Sequence, residues 1–254
     1  PKREEVLGIK CYPSISAVPE RLDLAILLTP PDAVLGLIKE CVEAKVGGAV
    51  VFASGFGELG PEGKEIEREI GRIGREGGCR VVGPNCLGFF NPRNGVVTYP
   101  QVLMKGVPTE MGTVGGVSQS GSFVDYLVWF LSTKGVRFSS VVSCGNECDL
   151  AAEDYLEYLG QDDKTKTIVS YMEGVKDGRR FFEVAREVSK TKPIVLWKGG
   201  MSEQGARAAA SHTGALAGST AIWQAMFKQA GIIQVHSVQD VVECAVAFDY
   251  LPLP

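Results

Sequence analysis

The chain has 254 residues, 45% of them apolar and 22% charged, with a formal net charge of −4. That length holds one large α/β domain or two smaller ones, and the composition is that of a globular chain in water. The acidic balance gives no basic surface for nucleic acid, no apolar run approaches the ~20 residues of a membrane span, and the charged start Pro1-Lys2-Arg3-Glu4-Glu5 is no signal peptide. The expectation is a cytoplasmic protein without nucleic-acid or membrane partners. Its seven cysteines are scattered at 11, 41, 79, 86, 144, 148 and 244. Cys144 and Cys148 lack a second ligand pair, so free thiols and no metal site are expected.

Residues Leu22–Leu28, apolar but for Asp23, read as a short continuous run of the kind found in strands buried on both faces of a parallel sheet. Pro31-Asp32 then opens a helix carrying Val34, Leu35, Ile38, Cys41 and Val42 at helical spacing. Gly47-Gly48 ends it. A strand at 49–53, a charged helix from about 61 to 76 and a strand at 80–82 follow. This rhythm means βαβ units. Ahead of it, Val6–Cys11 reads as a two-turn stretch where a nucleotide-binding sheet has a strand and a Gly-rich turn, so the first βαβ unit is expected to be missing.

Residues 87–112 read as an irregular linker rich in Pro, Gly and Asn. A second series begins at 112–117 and continues with a helix after Gly121, a strand at 139–143, a helix at 150–160 and a strand at 167–172. A helix at 178–190, a strand at 193–197, a helix at 219–230, a strand at 232–235 and a last helix near 238–250 complete it. The expected architecture is α/β with two doubly wound domains, 1–100 and 101–254.

In open parallel sheets, ligands bind beyond the carboxyl ends of the strands. In the first domain those ends carry Thr29-Pro30, Ser54-Gly55 and Asn85-Cys86; in the second, Ser118-Gln119-Ser120-Gly121, Gly145-Asn146, Glu173-Gly174 and Lys198-Gly199-Gly200. Ser118–Gly121 opens a helix, where amides and the helix dipole hold a phosphate or where serine simply caps. No Gly-Lys-Ser/Thr follows, so it is not a Walker loop. Cys86 reads as pocket lining rather than nucleophile. His212, one of two histidines, lies among Ala, Gly, Ser and Thr in Ala208–Ser219. It reads as a loop residue or as a functional imidazole. Glu173 is either a solvated loop charge or the carboxylate that orients His212, fixing its tautomer and leaving the other nitrogen nucleophilic. His236 reads as structural.

Four stretches now occur in order: Gly83-Pro84-Asn85-Cys86-Leu87-Gly88, Val117-Ser118-Gln119-Ser120-Gly121, Tyr171-Met172-Glu173-Gly174-Val175-Lys176-Asp177-Gly178 and Ser211-His212-Thr213-Gly214-Ala215-Leu216-Ala217-Gly218-Ser219. Together they resemble the NDP-forming acyl-CoA synthetases, typified by the ADP-forming acetate–CoA ligase α subunit, with succinyl-CoA synthetase α subunits as more distant relatives. The resemblance runs along essentially the whole chain. It implies a truncated Rossmann-like CoA-binding domain followed by a flavodoxin-like, succinyl-CoA-synthetase-type domain. It further implies that His212 is phosphorylated in turnover and that Glu173 hydrogen-bonds it. Ser118, Gln119, Ser120 and Gly121 would hold phosphate, with Gly145 and Asn146 in a neighbouring loop. Thr29, Pro30, Ser54, Gly55, Asn85 and Cys86 would line the coenzyme A site.

The implied reaction converts acyl-CoA, ADP and phosphate to acid, ATP and CoA through an acyl phosphate and a phosphohistidine. Implied partners are an ATP-grasp β subunit or domain, with Mg2+ at that partner's nucleotide site, in a hetero-oligomer with α–α contacts. The chain stops at Leu251-Pro252-Leu253-Pro254 and has no ATP-grasp region, so a fragment is expected. Two other readings are weighed against this one. A CoA-binding regulatory or acyltransferase-associated module would use the same domains without ligase activity, but such relatives have lost the histidine that stands here as His212. A serine hydrolase would use Ser118 or Ser120 with His212, but Gly116-Val117-Ser118-Gln119-Ser120 lacks the last glycine of a nucleophile elbow.

Overall fold

The apolar runs become the strands of two parallel sheets. The computed structural model describes residues 3–99, 105–201 and 220–252. At the front, β1 (Glu5–Val6) and β2 (Ile9–Lys10) pair antiparallel. Leu7 and Gly8 both adopt positive φ, the pattern of a type I′ hairpin, so this stretch is a hairpin rather than two turns.

The first sheet has the order β3-β4-β5, all parallel, from β3 (Leu24–Leu27), β4 (Gly48–Val51) and β5 (Arg80–Val82). Helices α1 (Pro31–Glu43) and α2 (Pro61–Glu76) connect them. Both start with proline at the first helical position, whose fixed φ suits that place and whose missing N–H is not needed there. Most of α2 is charged, and Glu65–Arg68, Glu69–Arg72 and Arg72–Glu76 pair along its exposed face. Such pairs contribute only ~0.3–0.5 kcal/mol each. The helix is held by its buried stripe of Gly63, Glu67, Ile70, Gly71 and Gly74.

The second sheet comprises β6 (Gly88–Asn91), β7 (Val96–Val97), β8 (Val114–Ser118), β9 (Phe138–Ser143), β10 (Thr167–Met172), β11 (Ile194–Lys198) and β12 (Ile233–Val235). Its order is β12-β11-β10-β8-β9-β6-β7, with the first five strands parallel and β6 and β7 antiparallel at the edge. Helices α3 (Gly121–Thr133) and α7 (Val238–Tyr250) cover one face through Val124, Leu127, Leu131, Val241 and Ala245. On the other face α4 (Ala152–Gln161), α5 (Gly178–Val188) and α6 (Thr220–Ala230) bury Leu156, Phe181, Trp223 and Phe227. Each such apolar side chain contributes ~1.5–3 kcal/mol on burial. No helix of the described residues is long and apolar enough to cross a membrane.

The stretch 87–112 differs from the linker expected of it. Gly88–Asn91 pairs with β9 and alternates in burial, with Phe90 fully buried edge-on to Phe138 at 6.4 Å. Its strand character comes from a distant partner, which local composition does not reveal.

The two sheets meet where α2 and β5 touch the loop after β9. Asp149 and Leu150 of that loop close the outer edge of β5: Val81 N donates to Asp149 Oδ2 at 2.9 Å and Leu150 N to Val81 O at 3.3 Å. Gly71 lies so close that an added Cβ would stand 1.9 Å from the Cys148 carbonyl oxygen. Gly71→Ala is therefore expected to cost about 1–3 kcal/mol by overpacking, read from denaturant unfolding. In contrast Gly36→Ala, on the open face of α1 with nothing within 4 Å, should be neutral or stabilise by up to ~1 kcal/mol.

Candidate active site

The strand ends named from sequence form two ligand-facing edges. On the first sheet, Thr29-Pro30 lies between β3 and α1, Ser54-Gly55 follows β4 and Asn85-Cys86 follows β5. Phe52 N donates to Leu27 O at 3.3 Å and Asn85 N to Ala53 O at 2.8 Å, which tie the three ends together. Thr29 Oγ1 is buried without a partner among the described residues, an acceptor and donor left for something else. Cys86 is buried and its thiol donates to Val51 O at 3.4 Å. Burial pushes that thiol up to about 12, so it stays protonated at neutral pH and forms wall rather than nucleophile.

On the second sheet, the connection leaving β8 runs to β9 on one side and the connection leaving β10 runs to β11 on the other, so the crevice opens between the ends of β8 and β10. There Ser118 Oγ donates to Ser120 O at 2.8 Å and accepts from Ser120 N at 3.1 Å. Ser120 Oγ accepts from Phe123 N at 3.3 Å as the N-cap of α3. The cap and the anion cradle are thus compatible: the cap satisfies the third amide, and the first-turn amides of Gly121 and Ser122 have no intrahelical acceptor. The serine hydroxyls are engaged within the turn itself, which leaves a hydrolase reading without an activated nucleophile among the described residues. Gln119 spans the crevice. Its Oε1 accepts from Glu173 N at 2.6 Å and Gly174 N at 3.2 Å, and its Nε2 donates to Gly174 O at 2.8 Å.

Glu173 is nine-tenths buried at the end of β10. Its Oε1 accepts from Tyr171 Oη at 3.4 Å, while its Oε2 is buried with no partner among the described residues. Such an oxygen is costly unless an N–H reaches it, and an imidazole supplies one. Tyr171 is pushed up to about 12 by burial and by the Glu173 charge. Lys198, buried at the end of β11, donates to Gly199 O and stands 5.0 Å from the Trp223 ring centre. Burial lowers its pKa, and the Glu173 carboxylate opposes that shift. His212 lies outside the described residues.

The two edges are joined at Gly145-Asn146. Gly145 has φ +59°, and a Cβ there would stand 2.2 Å from Pro84 O. Only glycine fits both the left-handed backbone and the close approach. Asn146 N donates to Pro84 O at 2.8 Å, and its Oδ1 accepts from Asn85 Nδ2 at 3.3 Å. Its Nδ2 donates to Glu58 Oε2 at 2.7 Å and to Glu67 Oε1, which also accepts from Gly57 N. The Asn146 side chain is therefore occupied in joining the two units. Beside it opens a cleft of about 790 Å³, lined from the second unit by Gln119, Gly145, Glu147, Gly174 and Lys176.

Three residues of this region carry roles that the motif reading did not assign: Lys198, Glu147 and Asp149. Lys198 was named only as a strand end, although a lysine closing the apolar strand Ile194–Trp197 is itself a signal of a buried cation. Asp149 has a fully buried side chain and accepts from Arg75 Nε at 3.0 Å, Arg80 Nε at 2.8 Å and Val81 N. Burial alone would raise its pKa, but the Arg80, Val81 and Arg75 hydrogen bonds hold it below the ordinary 3.8. A depressed carboxylate stabilises the fold above its unfolded pKa and loses that contribution as pH falls through the folded one. Asp149→Asn should thus cost roughly 1.5–3 kcal/mol at pH 7 in urea unfolding, with the gap to wild type closing in strong acid.

A doubly wound sheet with a phosphate-type helix start, set against a second set of parallel strand ends, defines a nucleotide- or CoA-handling protein. Family comparison agrees. The model of a CoA binding domain matches residues 1–92, and that of the succinyl-CoA ligase like flavodoxin domain matches 111–248. The chain is 44% identical over 245 residues to an ADP-forming acetate–CoA ligase I of Archaeoglobus fulgidus, covering 96% of this chain and 35% of the relative. It is 42% identical over 254 residues to the α subunit of ADP-forming acetate–CoA ligase II of Pyrococcus furiosus, covering 100% and 54%. Among solved structures, dinucleotide forming acetyl-coenzyme A synthetase 1 of Ca. Korarchaeum cryptofilum, in complex with phosphate and ADP, superposes with a TM-score of 0.89 at 40% identity, over 100% of this chain and 54% of that one. The chain belongs to the NDP-forming acyl-CoA synthetase family, with a CoA-binding domain followed by a succinyl-CoA ligase-like flavodoxin domain. It spans about half the length, or less, of these relatives.

Proposed function

We propose that this chain is the α-subunit portion of an ADP-forming acyl-CoA synthetase of the acetate–CoA ligase type. The observation that carries the reading is the convergence of the two strand-end edges on one junction at Asn146. A thioester held by Thr29-Pro30, Ser54-Gly55 and Asn85-Cys86 then lies next to the α3 start. Phosphate at Ser118–Gly121 attacks the thioester carbonyl, the C–S bond breaks, CoA leaves and an acyl phosphate forms. His212 attacks the phosphorus, the acid leaves, and the phosphohistidine passes its phosphoryl group to ADP. Splitting the transfer in this way replaces one difficult step by easier ones.

Glu173 has the right chemistry to support the second step. Its unpartnered Oε2 would accept one ring N–H of His212 and leave the other nitrogen as nucleophile. Amides at the start of α3 stabilise the charge that develops on the phosphoryl oxygens. The partner implied is an ATP-grasp β subunit or domain in a hetero-oligomer, which binds the nucleotide with its Mg2+; no step assigned to this chain runs through that ion.

The test is incubation with such a partner and γ-labelled ATP. Acid-labile, base-stable label is expected on the wild-type chain and none on His212→Asn. Label surviving that substitution would refute the reading, and complete lack of label in wild type would favour a CoA-binding module. Glu173→Gln, which keeps the shape and loses the charge, should slow labelling by roughly 10²-fold.

A further inference from the structure

Glu147 follows Asn146 in the loop after β9, is buried, and lines the cleft beside Gln119, Gly145 and Lys176. Its backbone is left-handed at φ +57°, a conformation that a glutamate keeps only when its surroundings enforce it. Its Oε1 accepts from Cys144 Sγ at 3.2 Å. Lys176 donates its ammonium at 2.7 Å to the Glu147 main-chain carbonyl, not to the carboxyl. The Cys144 bond to that carboxyl is a neutral one, and the Lys176 ammonium is spent on the main-chain carbonyl beside it. The groups facing it are Cys144 on its own loop, Gln119 from the end of β8, Lys176 from beyond β10, and Glu153 and Tyr155 on α4.

We propose that Glu147 is held as a neutral carboxylic acid and donates its O–H to an oxyanion bound at the ends of β8, β9 and β10, with Lys176 supplying the neighbouring positive charge. Gln119 and the Cys144 thiol both hydrogen-bond the carboxyl, the thiol's one hydrogen being shared with Ser118 O at 3.2 Å, and in the neutral form the carboxyl carries its own proton. Burial favours the neutral form of an acid, and only that form has a hydrogen to give an anion. Burial, with the Glu153 charge adding to it, pushes the group up to about 7 against the pull of Gln119, Cys144 and Lys176. The identity of the oxyanion rests on the ligase reading: an oxygen of phosphate, or of the carboxylate that becomes the acyl group.

Sulfate and acetate keep a fixed charge between pH 6 and pH 8, so any pH dependence of their binding belongs to the protein. The full chain is titrated with each by calorimetry, in buffers of different ionisation enthalpy. Wild-type affinity is expected to fall about tenfold from pH 6 to pH 8, with proton uptake on binding. Glu147→Gln, a permanent neutral donor, should bind at both pH values with the wild type's low-pH strength, and Glu147→Ala weakly at both. A response to sulfate alone assigns phosphate, one to acetate alone assigns the carboxylate, and one to both assigns a shared subsite. A wild-type slope that persists in Glu147→Gln, or no binding of either ion, overturns the proposal. Should Glu147→Gln not fold, infrared difference spectra of the wild type decide: the carbonyl band of a buried protonated acid must be present at pH 6 and fade by pH 8, and its absence overturns the proposal. Neither readout needs His212. Proton-linked sulfate binding by a chain that never takes label would refute the ligase reading and leave this site standing.

Discussion

The arrangement of the site depends on one side-chain amide. Asn146 reaches from the second sheet to the carboxylates of Glu58 and Glu67 while its backbone is bound to Pro84. Those bonds fix how the Asn85–Cys86 turn stands against the Gly145 loop, and hence how one set of strand ends faces the other. Gly145 makes the contact sterically feasible, since any side chain would meet Pro84 O. Asp149, three residues further along the loop, repeats the logic with charge: a buried carboxylate shared by two arginines and a main-chain amide. Losing one partner of such a buried network leaves the others desolvated and unpaired, so its members act as a unit.

The strand ends themselves are arranged by topology rather than by individual contacts. Placing β8 between β9 and β10 opens a crevice at its carboxyl end, and the sequence fills that crevice with a helix start on one side and Glu173 on the other. Gln119 then holds the two lips at a set separation through three hydrogen bonds to Glu173 and Gly174. The first-turn amides of α3 lack an intrahelical acceptor and Glu173 Oε2 lacks a partner among the described residues, which leaves both lips able to bind, the condition for a preorganised electrostatic site.

Much of this was legible in the sequence. The apolar runs marked the parallel strands closely where they are buried on both faces, as with Val81-Val82 and Thr167–Met172, whereas the strand expected from Leu22–Leu28 is Leu24–Leu27 and leaves Ile26 exposed on the open side of its sheet. Strands β6 and β7 were not legible: β6 pairs with the distant β9, β7 pairs only with β6, and Pro92, Asn94 and Gly95 disguise both as a loop. Ser118–Gly121 was readable as a helix start, and Glu173 as a strand-end acid. The role of Asn146 was not, since a small polar residue beside glycine looks alike whether it holds a ligand or a neighbouring loop. Glu147 escaped for a similar reason. Its burial and its left-handed backbone are consequences of the junction and have no local signature.

The pairing of Asp149 and Leu150 with Val81 also bears on how the chain keeps itself monomolecular while folding. Strand β5 ends a three-stranded sheet, and its outer row of amides and carbonyls would otherwise be a template for any passing strand. The second unit covers that row with its own loop. A polypeptide released before residue 150, by arrest or by cleavage, would present β5 bare, and self-association through that edge is the failure that this loop guards against.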